Sequence, residues 1–168
     1  MNGFTEHRAS GASASGSRDD RVFTWGAGRA MLPLVGRIAA DLVGQHRRLA
    51  LLQPERARLD RQRHTLAWPE RARRYQLHDE ITSLQDERRQ TLAELEALGV
   101  ILLDRAIGLV GFPTIVNDRR AFFSWQLGEE GLQFWNYAGD RHRRPVPEAW
   151  TRSPRESSGK KGRSRSQK

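Results

Sequence analysis

The 168-residue sequence contains no cysteine, which excludes a disulfide framework, a thiol nucleophile and any Cys-ligated zinc or iron–sulfur centre. It also lacks an apolar run near the roughly 20 residues that a membrane-crossing helix needs. The longest candidate, Val100–Phe112, is broken by Asp104 and Arg105. The opening Met1–His7 has no apolar stretch of the signal-peptide kind, so secretion is not signalled and a cytoplasmic location is expected. Hydrophobic residues make up only 37% of the chain, and the length suits one domain.

Positive charge is plentiful but unevenly placed. The chain holds 29 Lys+Arg against 20 Asp+Glu, a formal net charge of +9. In Thr151–Lys168, Arg152, Arg155, Lys160, Lys161, Arg163, Arg165 and Lys168 face only Glu156, a local excess of +6. Residues 1–20 carry −1 and Arg21–Trp150 carries +4. Residues 151–168 include no aliphatic or aromatic side chain and cannot offset the entropy of ordering. They read as a disordered basic tail. Residues 1–20, with the Ser/Ala/Gly stretch Ala9–Ser17, read as a disordered N-terminal segment. A single domain over 21–150 remains.

Its first half has helical periodicity. Thr24 suits the N-cap of a helix beginning at Trp25, and Pro33 is expected to kink or restart that helix. Met31, Val35, Ile38, Leu42, Gln45, Leu49, Leu52, Arg56, Leu59, Arg63 and Leu66 step by four and three, as a heptad seam does. Pro54 falls where the seam begins to alternate Leu with Arg, so Pro54–Leu66 reads as a less well packed extension. Pro69 suits the first turn of a second helix. There Leu77, Ile81, Leu84, Arg88, Thr91, Leu95 and Leu98 repeat the seam, and Gly99 stands where a left-handed cap belongs. Helices over about 25–66 and 69–98 are expected to form an antiparallel hairpin or to pair in trans.

After Gly99 the period changes. Val100–Leu103 and Ile107–Phe112 are short apolar runs. Ala121–Leu127 and Leu132–Tyr137 flank Gly128-Glu129-Glu130-Gly131, a hairpin signal. Pairing Leu127 with Leu132 sets Trp125 against Phe134, Phe123 against Asn136 and Ala121 against Ala138 on a core face. The other face would then pair Ser124 with Trp135 and Phe122 with Tyr137, gathering Phe122, Trp135 and Tyr137 into an aromatic cluster. That cluster is either a second small core, covered by the strand around Ile107–Phe112 or by Trp150, or a contact patch. The expected fold class is α+β: a long antiparallel helical, coiled-coil-like hairpin followed by a small antiparallel β-meander over about 100–138.

Gly108-Leu109-Val110-Gly111-Phe112-Pro113, then Ser124-Trp125-Gln126-Leu127-Gly128-Glu129, then Phe134-Trp135-Asn136 with Ala138-Gly139 and Arg144-Pro145, resemble the bacterial family catalogued as domain of unknown function 2203. Phe23-Thr24 and Ala30–Pro33 resemble that family's opening helix. The resemblance spans about Val22–Val146 and implies helices followed by a β-meander in a cytoplasmic bacterial protein; it implies no activity. Of the motif positions, Gly108, Phe112, Pro113, Trp125, Gly128, Glu129 and Trp135 follow the pattern. The chain departs from it at Gly111, Ser124 and Asn136, where the family usually carries Asp, Cys and His. Under the pairing above, Ser124 and Asn136 lie on opposite faces. The resemblance therefore implies that any chemistry built on those three positions is lost here.

No catalytic or metal-binding set emerges elsewhere, and no cofactor is expected. His7, His46, His64, His78 and His142 show neither HxxxH nor HxH spacing and read as solvated surface residues. Glu129 and Glu130 are adjacent in a turn and read as loop solubilisers. Gly26-Ala27-Gly28 lacks the strand, the third glycine and the Lys-Ser/Thr of a phosphate loop. Arg56, Arg58, Arg61, Arg63, Arg71, Arg73 and Arg74 crowd the joined helix ends, either as an ion-paired solvated surface, with Arg56–Asp60 as one pair, or as a basic tip for phosphates. The expected function is non-enzymatic: a protein-interaction or self-association module, contacting another protein or a second copy through the seams or the outer sheet face. The alternative is a nucleic-acid- or ribosome-associated accessory protein. It would bind phosphates nonspecifically through the Arg-rich helix ends and the tail cations Arg152, Arg155, Lys160, Lys161, Arg163, Arg165 and Lys168.

Overall fold

The computed structural model describes residues 21–152. Helix α1 spans Trp25–Arg61; the Thr24 hydroxyl caps it by accepting from the Ala27 amide at 3.2 Å. Pro33 and Pro54 both lie inside it without ending it. Each removes one backbone donor, a loss that packing along the whole helix outweighs. Helix α2 spans Trp68–Ala97, with Pro69 in its first turn and the Glu70 carboxylate accepting from the Ala67 amide. The helices pair within one chain as an antiparallel hairpin, so both seams are satisfied in cis.

The expected looseness beyond Pro54 is corrected. Leu59 is buried with Leu66 and Leu77, and Leu52 links this group to Leu49, Ile81 and Leu84. Ion pairs Glu55–Arg73 and Asp60–Arg74 cross between the helices at the same level, so the extension is held to its neighbour on both its apolar and its charged side. Nearer the sheet the seam turns polar: the Gln45 amide donates to the Thr91 hydroxyl at 3.1 Å. The first helix also ends earlier than its pattern, at Arg61 rather than about 66. Residues 62–65 turn instead, which lets Leu66 fold back under Leu59 and Leu77.

Gly99 (φ +79°) reverses the chain out of α2. Strands β1 (Ile101–Asp104), β2 (Leu109–Val116), β3 (Arg119–Gln126), β4 (Phe134–Tyr137) and β5 (Arg144–Pro145) form an antiparallel meander in that order, followed by the short helix α3 (Glu148–Thr151). Asn117 and Asp118, at φ 50° and 58°, supply the two left-handed residues of a tight β2–β3 turn. The inner sheet face presents Val110, Phe112, Ala121, Phe123, Trp125 and Trp135 to Val35, Ile38, Ala39 and Leu42 of α1 and Leu95 of α2. Phe23 is stitched to β2: its amide donates to the Pro113 carbonyl at 2.7 Å, and its carbonyl accepts from the Thr114 hydroxyl at 3.1 Å.

The β3–β4 register differs from expectation by one residue. Ala121 faces Tyr137, Phe122 faces Asn136, Phe123 faces Trp135 and Ser124 faces Phe134. A one-residue slip turns every side chain of a strand to the other face. The cause lies in the loop. Leu132 leaves the ladder and drops into the core beside Gly28 and Phe112, while its carbonyl accepts from the Trp25 indole at 2.7 Å. Glu129 tightens the turn from the other side, its carboxylate accepting the Gln126 amide and its carbonyl the Trp125 indole. The connection is thus longer than four residues, and the ladder resumes at Phe134.

Candidate interaction surface on the outer side of the sheet

The corrected register takes Phe122 out of the aromatic cluster but leaves Trp135 and Tyr137 edge-on at 5.0 Å between ring centres, covered by Trp150 as one of the two expectations had it. Trp135 and Tyr137 lie on the inner side, with Trp150 of α3 tilted against Trp135 at 5.2 Å between ring centres. The Arg119 guanidinium sits 4.3 Å over the Tyr137 ring, and Arg144 lies near both rings. Phe122 alone of the three points outward. There it shares a face with Gly111, Pro113, Ser124, Phe134 and Asn136, because Gly111 pairs with Ser124 and Phe122 with Pro113. Ser124 and Asn136 therefore lie on one face, not opposite ones. A side chain at Gly111 would be crowded: a Cβ there would stand 3.0 Å from Leu103 Cδ1 and 3.1 Å from Phe122.

The β3–β4 half of this outer face is closed by an arginine. Arg143 donates to the Ser124 hydroxyl at 3.1 Å and to its carbonyl at 3.0 Å. It forks onto the Glu129 carboxylate at 2.7 and 2.8 Å, and its guanidinium lies 4.5 Å from the Phe134 ring centre. Burial pushes the Glu129 carboxyl up, but the Arg143 fork and the Gln126 amide outweigh it and hold the carboxyl below its ordinary range. Glu129 is thus a structural partner rather than a loop solubiliser. Asn136 donates to the Asp140 carbonyl at 2.9 Å, leaving its own buried side-chain oxygen without a partner. The amide of His142 and then Arg144 hold the Asp140 carboxyl low in turn.

Among the described residues no element covers the β1 half. Ile101 (37% exposed), Leu103 (36%) and Ile115 (56%) line it with Val22, while Pro113 and Phe122 form its floor. Among the described residues the backbone of β1 pairs on one side only, with β2, so there its other side is a sheet edge. Beyond that edge a groove of about 470 Å³ runs between β1 and α2, floored by Leu42, Leu92, Val100 and Leu102 and rimmed by Arg88, Arg105 and Glu96. None of those three charged side chains makes an ion pair or hydrogen bond among the described residues. The apolar run of β1 was readable in the sequence. That it would form an edge, with Ile115 beside it, was not, because the edge depends on the order of all five strands.

The remaining singled-out residues have structural positions. Gly108 (φ +65°) turns the chain against Leu127 and Val43; Phe112 and Trp125 fill the core; Gly128 (φ +98°) turns after β3. At the hairpin tip, Arg73 is forked onto Glu55, Arg56 and Arg74 share Asp60, and the Arg71 side chain donates to the Leu66 carbonyl. Arg58 and Arg61 make no ion pair or hydrogen bond among the described residues. Trp68 (75% exposed) and Tyr75 (63%) stand out from this tip. Arg152 lies 3.9 Å from Glu148; Arg155, Lys160, Lys161, Arg163, Arg165 and Lys168 fall outside the described residues, as do 1–20. Among the described residues no helix is long and apolar enough to cross a membrane, and no three His, Asp or Glu gather as a metal-holding group.

No curated protein and no solved structure matches the chain. A family described as uncharacterized conserved protein (DUF2203) does, over residues 21–146, which takes in both helices of the hairpin and the whole five-stranded sheet; the chain belongs to that family.

Proposed function

We propose that the chain is a non-enzymatic protein-interaction module, and that it receives its partner on the β1 side of the sheet rather than through the helical seams. The observation that carries this reading is the coincidence of a sheet edge unpaired among the described residues with exposed Ile101, Leu103 and Ile115. Edge strands of soluble proteins are commonly shielded by charge, proline or a covering element, and clustered exposed apolar side chains mark contact sites. The seams, by contrast, are consumed within the hairpin. Photo-crosslinking in cells provides the test. A photoreactive phenylalanine analogue placed at Ile101 or Ile115 should yield covalent protein adducts, whereas the same probe at exposed Leu51, on the helical arm, should yield none. Equal labelling at all three sites, or none at any, sinks the reading.

A second reading has its own observation. Pro54–Tyr75 carries seven arginines against Glu55, Asp60 and Glu70, a net +4 that equals the whole net charge of residues 21–150. Trp68 and Tyr75 protrude from the same tip. Arginines interleaved with exposed aromatics suit single-stranded nucleic acid, since bases stack on the rings while the cations meet phosphates. Binding to single-stranded RNA should fall steeply with salt, and Trp68→Ala should weaken it about tenfold. Both effects should persist in a chain lacking residues 151–168. Binding that vanishes with the tail assigns the attraction to the tail alone.

A further inference from the structure

The open groove and edge constrain the partner more tightly than apolarity alone. We propose that the polypeptide received at β1 is a second copy of this chain, joined β1 to β1 in antiparallel pairing across a two-fold axis at Leu102. This rests on the interaction reading above and gives it a partner.

Symmetry favours a second copy. An isologous interface sets each end of a patch against the opposite end of its twin. The groove has ends of opposite sign. Because β1 returns antiparallel to α2 after the Gly99 turn, Arg105 lies toward the Arg88 end, and Glu96 lies toward the other. All three lack ion-pair partners among the described residues. A two-fold axis therefore brings the two arginines of each copy toward Glu96 of the other. A single extended peptide from an unrelated protein has no such reason to match both ends.

Register supplies the second argument. Two identical antiparallel strands related by a two-fold axis must pair some residue with itself, and directly opposed residues point to the same face. With Leu102 as that residue, Ile101 of one copy stands opposite Leu103 of the second copy, and the reverse pair repeats it. The exposed outer side chains of β1 then cover each other. The bulge between Leu102 and Asp104 ends the regular ladder beyond Leu103, and Arg21 already packs on Gly99 and donates to the Leu98 carbonyl at 2.9 Å, so Arg105 and Glu96 would approach through their exposed side chains past the strand ends rather than as ladder partners. Asp104, at the strand end, is already engaged by the Ala106 amide at 2.8 Å and offers no opposing charge at the centre. β1 contains neither proline nor lysine to blunt its edge, and its bulge between Leu102 and Asp104 leaves the pairing to Ile101–Leu103.

The test is a charge swap on the full chain, read by sedimentation equilibrium across micromolar concentrations at low salt. Glu96 and Arg105 are both exposed, so their replacement leaves the fold intact. The wild-type chain should form a dimer. Arg105→Glu and Glu96→Arg should each weaken it about tenfold or more. The double variant, carrying both, should restore the dimer to near its original strength, and amide exchange at Leu102 and Leu103 should slow on dimerisation. A dimer indifferent to single and double variants overturns the β1 pairing but leaves self-association standing. A strict monomer whose Ile101 probe still crosslinks other proteins overturns the second copy and leaves the interaction reading. A strict monomer without adducts removes both.

Discussion

Phe112→Ala should cost the protein about 3–5 kcal/mol of folding stability, the range found for removing a buried aromatic ring. Phe112 is fully buried at the middle of β2, opposite Phe123 and edge-on to Phe23 at 5.6 Å between ring centres. It also meets the backbone of Gly28 in the first turn of α1 and, through Leu132, the loop that sets the β3–β4 register. The cavity would therefore open where the N-terminal segment, α1 and the sheet meet, and each is anchored elsewhere too firmly to collapse into it. Single domains typically have about 5–15 kcal/mol of stability, so the variant would lie near the edge of folding. Urea denaturation followed by circular dichroism measures the loss. Phe112→Leu, which keeps most of the volume, should cost well under half as much; equal losses for the two variants would refute the cavity account.

Arg143→Ala is the second large effect, at about 2–4 kcal/mol, because it strands several partly buried groups together. It removes two hydrogen bonds to Ser124 and the fork onto Glu129, and it uncovers Phe134. Glu129→Gln should cost less, since an amide still offers an oxygen to Arg143. It should also alter the response to acid. The folded carboxyl sits below its unfolded value of about 4.3. Its contribution is then fully present above that pH and is lost as the pH falls through the folded value. Wild-type stability should consequently drop more steeply below about pH 4.5 than that of Glu129→Gln, and parallel profiles would refute the assignment.

The helices were legible because their signals are local. Thr24, Pro69 and Gly99 mark three of the four hairpin ends, and the steps of four and three name the residues later found buried between the helices. Pro54 misled because its cost is local while the compensation comes from α2, through Leu77, Arg73 and Arg74. The hairpin in the sheet was legible as a hairpin but not in register. Turn composition around Gly128 suits a four-residue loop, yet Leu132 gains more in the core than in the ladder, and nothing local in the sequence announces that trade. From that one slip followed the placing of Phe122 with Trp135 and Tyr137 and the mistaken separation of Ser124 from Asn136. The open surface was the least legible part, since Ile101 and Ile115 become neighbours only through β2 and Gly111. Arg143 escaped notice for a similar reason: its partners Ser124 and Glu129 lie 19 and 14 residues away.

The hairpin arm has a further consequence when the ends of the molecule are taken together. From Val43, the last α1 residue buried near the sheet, to Arg61 the helix runs 18 residues, about 27 Å at 1.5 Å per residue. The exposed Trp68 and Tyr75 are thus held well clear of β1, and occupancy of one end does not obstruct the other. A pair of chains joined at β1 would carry two such tips on stiff arms of fixed span. Any ligand that the tips hold would then be met at two points, so weak contacts at each would add as avidity, with a spacing set by the length of α1.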